Sequence, residues 1–310
     1  MMKKNKGVFL FGFGAPSSID DEGMACFLES VTGRKADEIA VASLKKRYEA
    51  IGGKSPMVDM SRKQKRALRR VLDFRNMEIE VYFGMRCGAP SIQDAVKQAV
   101  GDGVEIAAAI THAPQHVPMI ADAYADAARR AVENSGGSID IRFATSYGTR
   151  PGFIDAVCEK LIEIFRYARG IEPCDIPIVF TAHSLPGDEA VLKDYTAQLR
   201  EAAISIVRKI RGDVFEVAFQ SKGRGPNKWL GPSIEDVIDE LARKKHGAVA
   251  LCPIGFVTEN LETLYDLDIE ASGRAEAAGM TLYRAAALDD SRTLMETWAD
   301  IVSEIFEESA

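Results

Sequence analysis

A short phrase occurs twice in this chain. Pro90-Ser91-Ile92-Gln93-Asp94-Ala95-Val96 returns as Pro232-Ser233-Ile234-Glu235-Asp236-Val237-Ile238, 142 positions later in a chain of 310. Each copy sets Ser three residues ahead of Asp. At that spacing a hydroxyl and a carboxylate satisfy the free N–H groups that open a helix. An apolar run precedes each copy, and a glycine-marked turn leads from each into another: Gly103 into Glu105–Thr111, Gly247 into Ala248–Cys252. The matching order predicts two similar halves. A chain of 310 residues also exceeds what one hydrophobic core usually serves. The expected boundary lies near Gly152, giving domains 1–151 and 152–310. A last helix, about Ser291–Phe306, is expected to return to the first half.

Between these markers the chain alternates. Short β-branched and aromatic runs are Val8–Phe13, Ile79–Phe83, Glu105–Thr111, Ile139–Ala144, Ile178–Ala182, Val214–Phe219 and Ala248–Cys252. Longer helical patterns separate them: Ser61–Phe74, Ile92–Val100, Met119–Glu133, Phe153–Tyr167, Asp194–Arg208 and Ile234–Lys244. Such alternation predicts an α/β fold. The apolar runs are continuous, which suits parallel sheets covered on both faces. Ligands of such sheets sit beyond the carboxyl ends of the strands. Gly12-Phe13-Gly14, Arg86, His112, His183 and Pro253-Ile254-Gly255-Phe256 stand at those ends.

Composition excludes several classes. Hydrophobic content of 46% and charged content of 27% are ordinary for a globular protein. A net charge of −7 argues against a nucleic-acid binder. No window is long and apolar enough for a transmembrane segment. Lys3, Lys4 and Lys6 ahead of Val8–Phe13 imitate a secretory signal, but Gly12, Gly14 and Pro16 cut the apolar run short. The expectation is a buried first strand and a cytoplasmic protein. The five cysteines, Cys26, Cys87, Cys158, Cys174 and Cys252, form no CxxC pair, so free thiols are expected.

Two segments carry chemistry. His183 closes Ile178-Val179-Phe180-Thr181-Ala182-His183. A neutral imidazole there can bind a divalent metal or accept a proton near pH 7. Glu262, Asp266 and Glu270 form a stripe: on a regular helix each four-residue step turns about 40°, so the three fall within about 80°. Leu261, Leu264 and Leu267 centre on the other side. The bland alternative is a solvated acidic face. Against it, no lysine or arginine lies from Val257 to Ser272 to relieve the repulsion. The other histidines are weaker candidates. Pro114 and Pro118 make a helical His112–His116 metal pair unpromising, and His246 follows Lys244-Lys245 in a turn. Gly12-Phe13-Gly14 begins a dinucleotide fingerprint, but Ser17 stands where its closing glycine belongs.

Four blocks together resemble the ferrochelatase family. They are Arg47-Tyr48-Glu49-Ala50-Ile51-Gly52-Gly53-Lys54-Ser55-Pro56; Thr181-Ala182-His183-Ser184-Leu185-Pro186 with Asp194-Tyr195; Gln220-Ser221-Lys222 with Trp229-Leu230-Gly231-Pro232; and Pro253-Ile254-Gly255-Phe256 through Glu270. They occur in the family's order over nearly the whole chain. The resemblance implies two Rossmann-like domains with a cleft between them and no bound dinucleotide. It implies insertion of Fe2+, as substrate, into a porphyrin, protoporphyrin IX or coproporphyrin III, in haem biosynthesis. His183 and Glu262 match the family's catalytic and metal-binding pair, and Asp266 and Glu270 match its acidic row. Phe13, Arg47, Tyr48, Ser55 and Tyr124 match positions lining the porphyrin cleft. Members using coproporphyrin often carry a tyrosine ligand where this chain has Phe13, which offers no ligand atom. Arg34 stands where an arginine pair is common. Some members bind an iron–sulfur cluster through cysteines near the C-terminus; none follows Cys252 here, so no cluster and no permanently bound cofactor are expected. The implied product calls for a transient haem acceptor. The alternatives are a chelatase for another tetrapyrrole or metal, or a non-catalytic tetrapyrrole carrier, which would show no turnover.

Overall fold

The computed structural model describes residues 5–168, 170–187, 192–223 and 228–308. Lys3 and Lys4 lie outside them. Two four-stranded sheets are present, parallel throughout. The first contains β1 (Lys6–Gly14), β2 (Glu80–Cys87), β3 (Ile106–Thr111) and β4 (Asp140–Phe143), in the order β2-β1-β3-β4. Its helices are α1 (Asp21–Thr32), α2 (Glu38–Ala50), α3 (Met57–Phe74), α4 (Ile92–Gly101) and α5 (Pro118–Ser135). The second contains β5 (Ile178–His183), β6 (Phe215–Gln220), β7 (Ala248–Pro253) and β8 (Thr281–Arg284), in the order β6-β5-β7-β8. With it run α6 (Pro151–Tyr167), α7 (Lys193–Ile210), α8 (Ile234–Arg243), a π-helix (Thr263–Ala271) and α9 (Ser272–Ala277). The last helix is α10 (Arg292–Glu307).

The chain forms two compact units. One comprises Met1–His112, Val117–Thr145 and Asp289–Ala310, and the other Ala113–His116 and Ser146–Leu288. In the first, α4 and α5 cover one sheet face, packing Val96, Ala99, Tyr124 and Ala128 on Phe9, Phe11 and Ala107. In the same unit α10 packs with α3, and both touch the sheet. In the second, α8 and the π-helix cover one face, setting Val237, Ile238, Leu241, Leu267 and Ala271 against Val179, Val249 and Leu251. Continuous apolar strands are what two-sided covering requires.

Both copies of the repeated phrase open a helix through a reciprocal cap. Ser91 accepts from the Asp94 amide while Asp94 accepts from the Ser91 amide, and Ser233 and Asp236 do the same. One strand escaped the pattern reading. β8 has four residues and is only partly buried, so it leaves little apolar signature. The repeat itself points there, because β8 is the counterpart of the equally short β4 in strand order.

The pairing register makes the equivalence specific. Gly12 pairs with Met85, which bridges to Ser91; Ala182 pairs with Phe219, which bridges to Ser233. Counting one step further, Phe13 in the first unit holds the place that His183 holds in the second.

Candidate active site

His183 ends β5, one of the two inner strands of the second sheet. In an order of this type the connections run in opposite directions from that strand, and the crevice at its carboxyl end is the usual ligand position. Its Nε2 lies 3.3 Å from Glu262 Oε1, with the two side chains 37% and 28% exposed. Its Nδ1 faces the Ser184 carbonyl. Two acceptors, one at each nitrogen, are both satisfied only by the doubly protonated ring. Burial disfavours that charge, but the Glu262 carboxylate, the Ser184 carbonyl and Asp266 outweigh it, raising the pKa to about 9. Without metal, the ring is thereby drawn towards its charged form, facing the Glu262 carboxylate. Tyr195 Oη, in a buried residue, donates to the His183 carbonyl at 3.1 Å and fixes the strand end.

Glu262 is set by its own turn. Asn260 Oδ1 accepts from the Glu262 amide at 2.7 Å and the Thr263 amide at 3.2 Å, and Thr263 Oγ1 accepts from the Asn260 amide at 2.9 Å. Gln220 Nε2 donates to the Glu262 carbonyl at 3.1 Å. Beyond this cap the chain is a nine-residue π-helix rather than the regular helix expected. Its i→i+5 bonding widens the turn, a rare geometry that is frequent at functional sites. Asp266 is 5% exposed and accepts a hydrogen bond from Ser221 Oγ. Glu270 is exposed at the far end. Along the row, Glu262 is partly exposed, Asp266 is buried and Glu270 is exposed.

Two acids beside the row, Glu259 and Asp268, have a local cation. Arg284, from the strand missed in the sequence, pairs with Glu259 and with Asp268, the latter through Nε and Nη2 at 2.7 Å each. Arg284 thus relieves two acids that flank the stripe, while Glu262 and Asp266 face His183 and Ser221 instead. Among the described residues no three His, Cys, Asp or Glu side chains converge as a metal cage. What converges is the His183–Glu262 pair, with Asp266 next in line.

The first unit gathers the other candidates. The half-buried Phe13 ring lies edge-on to Phe27 and carries the Arg86 guanidinium 5.1 Å from its centroid. Tyr124 is buried nearby; burial raises its pKa and the Arg86 charge opposes the rise. Ser55 is buried, and its Oγ accepts from the Met57 amide at 3.3 Å. Met57 Sδ accepts from the Gly14 amide at 3.2 Å, tying the Ser55 turn to the end of β1. Tyr48 is 2% exposed, and its carbonyl accepts from the Gly53 amide at 2.8 Å. Arg47 beside it is half-buried.

Gly12-Phe13-Gly14 has a packing explanation. A Cβ on Gly14, at φ +113°, would stand 1.6 Å from the Cys87 carbonyl oxygen, and one on Gly12 would meet Met85 and His112 at about 3 Å. The glycines let β1 end against its neighbours. His112 is buried in the first unit, stacked on Trp298, while in the second the backbone of His116 donates to and accepts from the Gln198 side-chain amide. Sequence reasoning quoted Tyr195, Gln220 and Ser221 without assigning them roles, and noted Arg86 only as a strand end. The positions of Arg86, Gln220 and Ser221 at strand ends, and of Tyr195 at the start of α7, were the available signal.

Comparison with known proteins bears on the family and the fold. The family model described as Ferrochelatase matches residues 5–305. A ferrochelatase of Deinococcus radiodurans is 31% identical over 307 residues, covering 97% of this chain and 96% of the relative. A coproporphyrin III ferrochelatase of Oceanobacillus iheyensis is 31% identical over 309 residues, covering 97% of each. The solved structure of SirB from Bacillus subtilis with Fe3+ shares the fold, at TM-score 0.59 and 12% identity over 97% of this chain and 95% of that one. With a profile match over nearly its whole length and relatives above 30% identity, this chain belongs to the ferrochelatase family.

Proposed function

We propose that this protein inserts Fe2+ into a porphyrin in haem biosynthesis, with His183 and Glu262 as its reacting groups. The observation that carries this reading is their ion pair at the carboxyl end of β5. A free-base porphyrin gives up two pyrrole protons and accepts a divalent cation. A resting pair that already shares a proton is matched to that exchange. The incoming cation displaces the shared proton, and as the metal passes to the ring the vacated imidazole and carboxylate take up the two pyrrole protons, one of which then leaves to water and restores the resting pair. Asp266, buried beneath the Ser221 hydroxyl, and Glu270, exposed, give protons a graded path to water.

Iron is the substrate here and no resident cofactor or cluster takes part. In this reading the half-buried Phe13 packs the macrocycle and Arg47 receives a propionate, with the buried Tyr48, Ser55 and Tyr124 supporting them from behind. The compartment of this reading is the cytoplasm, with a transient haem acceptor as partner and no role for nucleic acid. The test is an anaerobic insertion assay with Fe2+ and, in parallel, protoporphyrin IX and coproporphyrin III. Turnover with either supports the reading and identifies the porphyrin. Binding of both without turnover would make the protein a carrier.

A further inference from the structure

One residue touches both halves of the reacting pair without belonging to it. Gln220 ends β6, directly opposite His183 in the strand register. Its carbonyl accepts from the Ser184 amide at 2.7 Å, and the Ser184 carbonyl is what faces His183 Nδ1. Its side-chain amide donates to the Glu262 carbonyl at 3.1 Å. Gln220 therefore joins the strand that presents the imidazole to the turn that presents the carboxylate.

Two features show that this join is kept at a cost in stability. Gln220 is 5% exposed, and among the described residues its Oε1 is buried with no hydrogen-bond partner. A buried acceptor left unmade is destabilising, and an apolar side chain of similar shape would avoid the penalty. The next residue, Ser221, adopts φ +60°, a left-handed conformation that a serine holds only when its surroundings enforce it. That conformation accompanies the Ser221 hydrogen bond to Asp266. Strain and an unsatisfied group in consecutive residues are expected where geometry is kept at the expense of stability.

We infer that Gln220 is a positioning residue for metal insertion, fixing where Glu262 stands relative to His183. The inference rests on the metal-insertion reading above. Gln220 touches neither substrate in this scheme; it acts through the Glu262 backbone. Losing its amide should let the carboxylate drift, and small misplacements of reacting groups are costly in rate. The porphyrin does not depend on that join, so its binding should be spared.

The experiment is steady-state insertion of Fe2+ by wild type, Gln220→Met, Glu262→Asp and the double variant. Met keeps the volume and removes the donor. Glu262→Asp keeps a carboxylate but already misplaces it. Gln220→Met should lower kcat/KM for the metal roughly tenfold, the scale of one lost hydrogen bond at a charged site, with the porphyrin KM little changed. In the Glu262→Asp background the same substitution should cost less than about threefold, because the two changes act on one distance. Equal losses in both backgrounds, a parallel rise in porphyrin KM, or no loss would each overturn the inference. If Gln220→Met folds poorly by circular dichroism, Gln220→Leu carries the same test, being uncharged and unable to donate. Absence of turnover in the wild type would instead overturn the functional reading itself.

Discussion

His183 has both ring nitrogens facing oxygen, and its behaviour follows from that. Replacing Glu262 by Gln removes the leading counter-charge, so the imidazole pKa should fall from about 9. An NMR titration of the ring checks this. In the insertion assay His183→Ala and Glu262→Gln should each cost about two orders of magnitude or more, the scale of a positioned acid–base group. Both should fold, since neither side chain is core filler. His112 behaves in the opposite sense. Burial against Trp298 lowers its pKa to about 4. Its native state rejects the proton that the unfolded chain accepts below about 6.5. The associated stability is therefore complete above that pH and lost as pH falls towards 4, by up to roughly 3 kcal/mol. Denaturant melts of His112→Phe across this window should show a flatter pH dependence than wild type. Chemically, His183 and Glu262 were readable in the sequence because each stands at the end of a patterned segment. Their protonation was not, because it depends on the Ser184 carbonyl orientation and on a partner 79 positions away.

The elements divide by how local their causes are. The two capped helices were legible to the residue, because a cap is settled within four positions. Ser91→Ala and Ser233→Ala should each cost about 1 kcal/mol. The double variant should show the sum, since the sites lie in different units. Urea melts test both statements. The π-helix was not legible: its residues have an ordinary helical pattern, and the wider bonding is selected by what holds its ends. Asn260 caps one end, and Arg284 anchors Glu259 and Asp268 along it. Arg284→Gln should take the guanidinium from Glu259, only 12% exposed, and cost about 3 kcal/mol, the scale for stripping one partner from a largely buried pair. It should also raise the metal KM more than the porphyrin KM, because the acid row loses its anchor. Unchanged urea midpoints would show that Arg284 is incidental to the π-helix.

Across the whole molecule, the chain passes between the two units four times, after His112, His116, Thr145 and Leu288. The last crossing delivers α10 to the first unit, where Trp298 and Leu294 are fully buried and Glu296 and Asp300 pair with Arg75. Arg75→Ala should cost only about 1 kcal/mol, because the ion pairs are partly exposed. Truncation after Leu288 should be far more damaging, uncovering the α10 side of α3 and the sheet. A lower Tm with new binding of a hydrophobic dye would report it. The α/β class and the duplication were legible because they are written in spacing, whereas the short visits between units were not, because no local pattern marks residues 113–116 as belonging elsewhere. That connectivity limits how such a gene can be rearranged. A splice near its midpoint would move a first half without its closing helix and a second half burdened with a helix it does not use. Exchange between related genes would yield folding chimaeras when the final twenty or so codons travel with the opening segment, so the two ends of this coding sequence should be inherited as a linked pair.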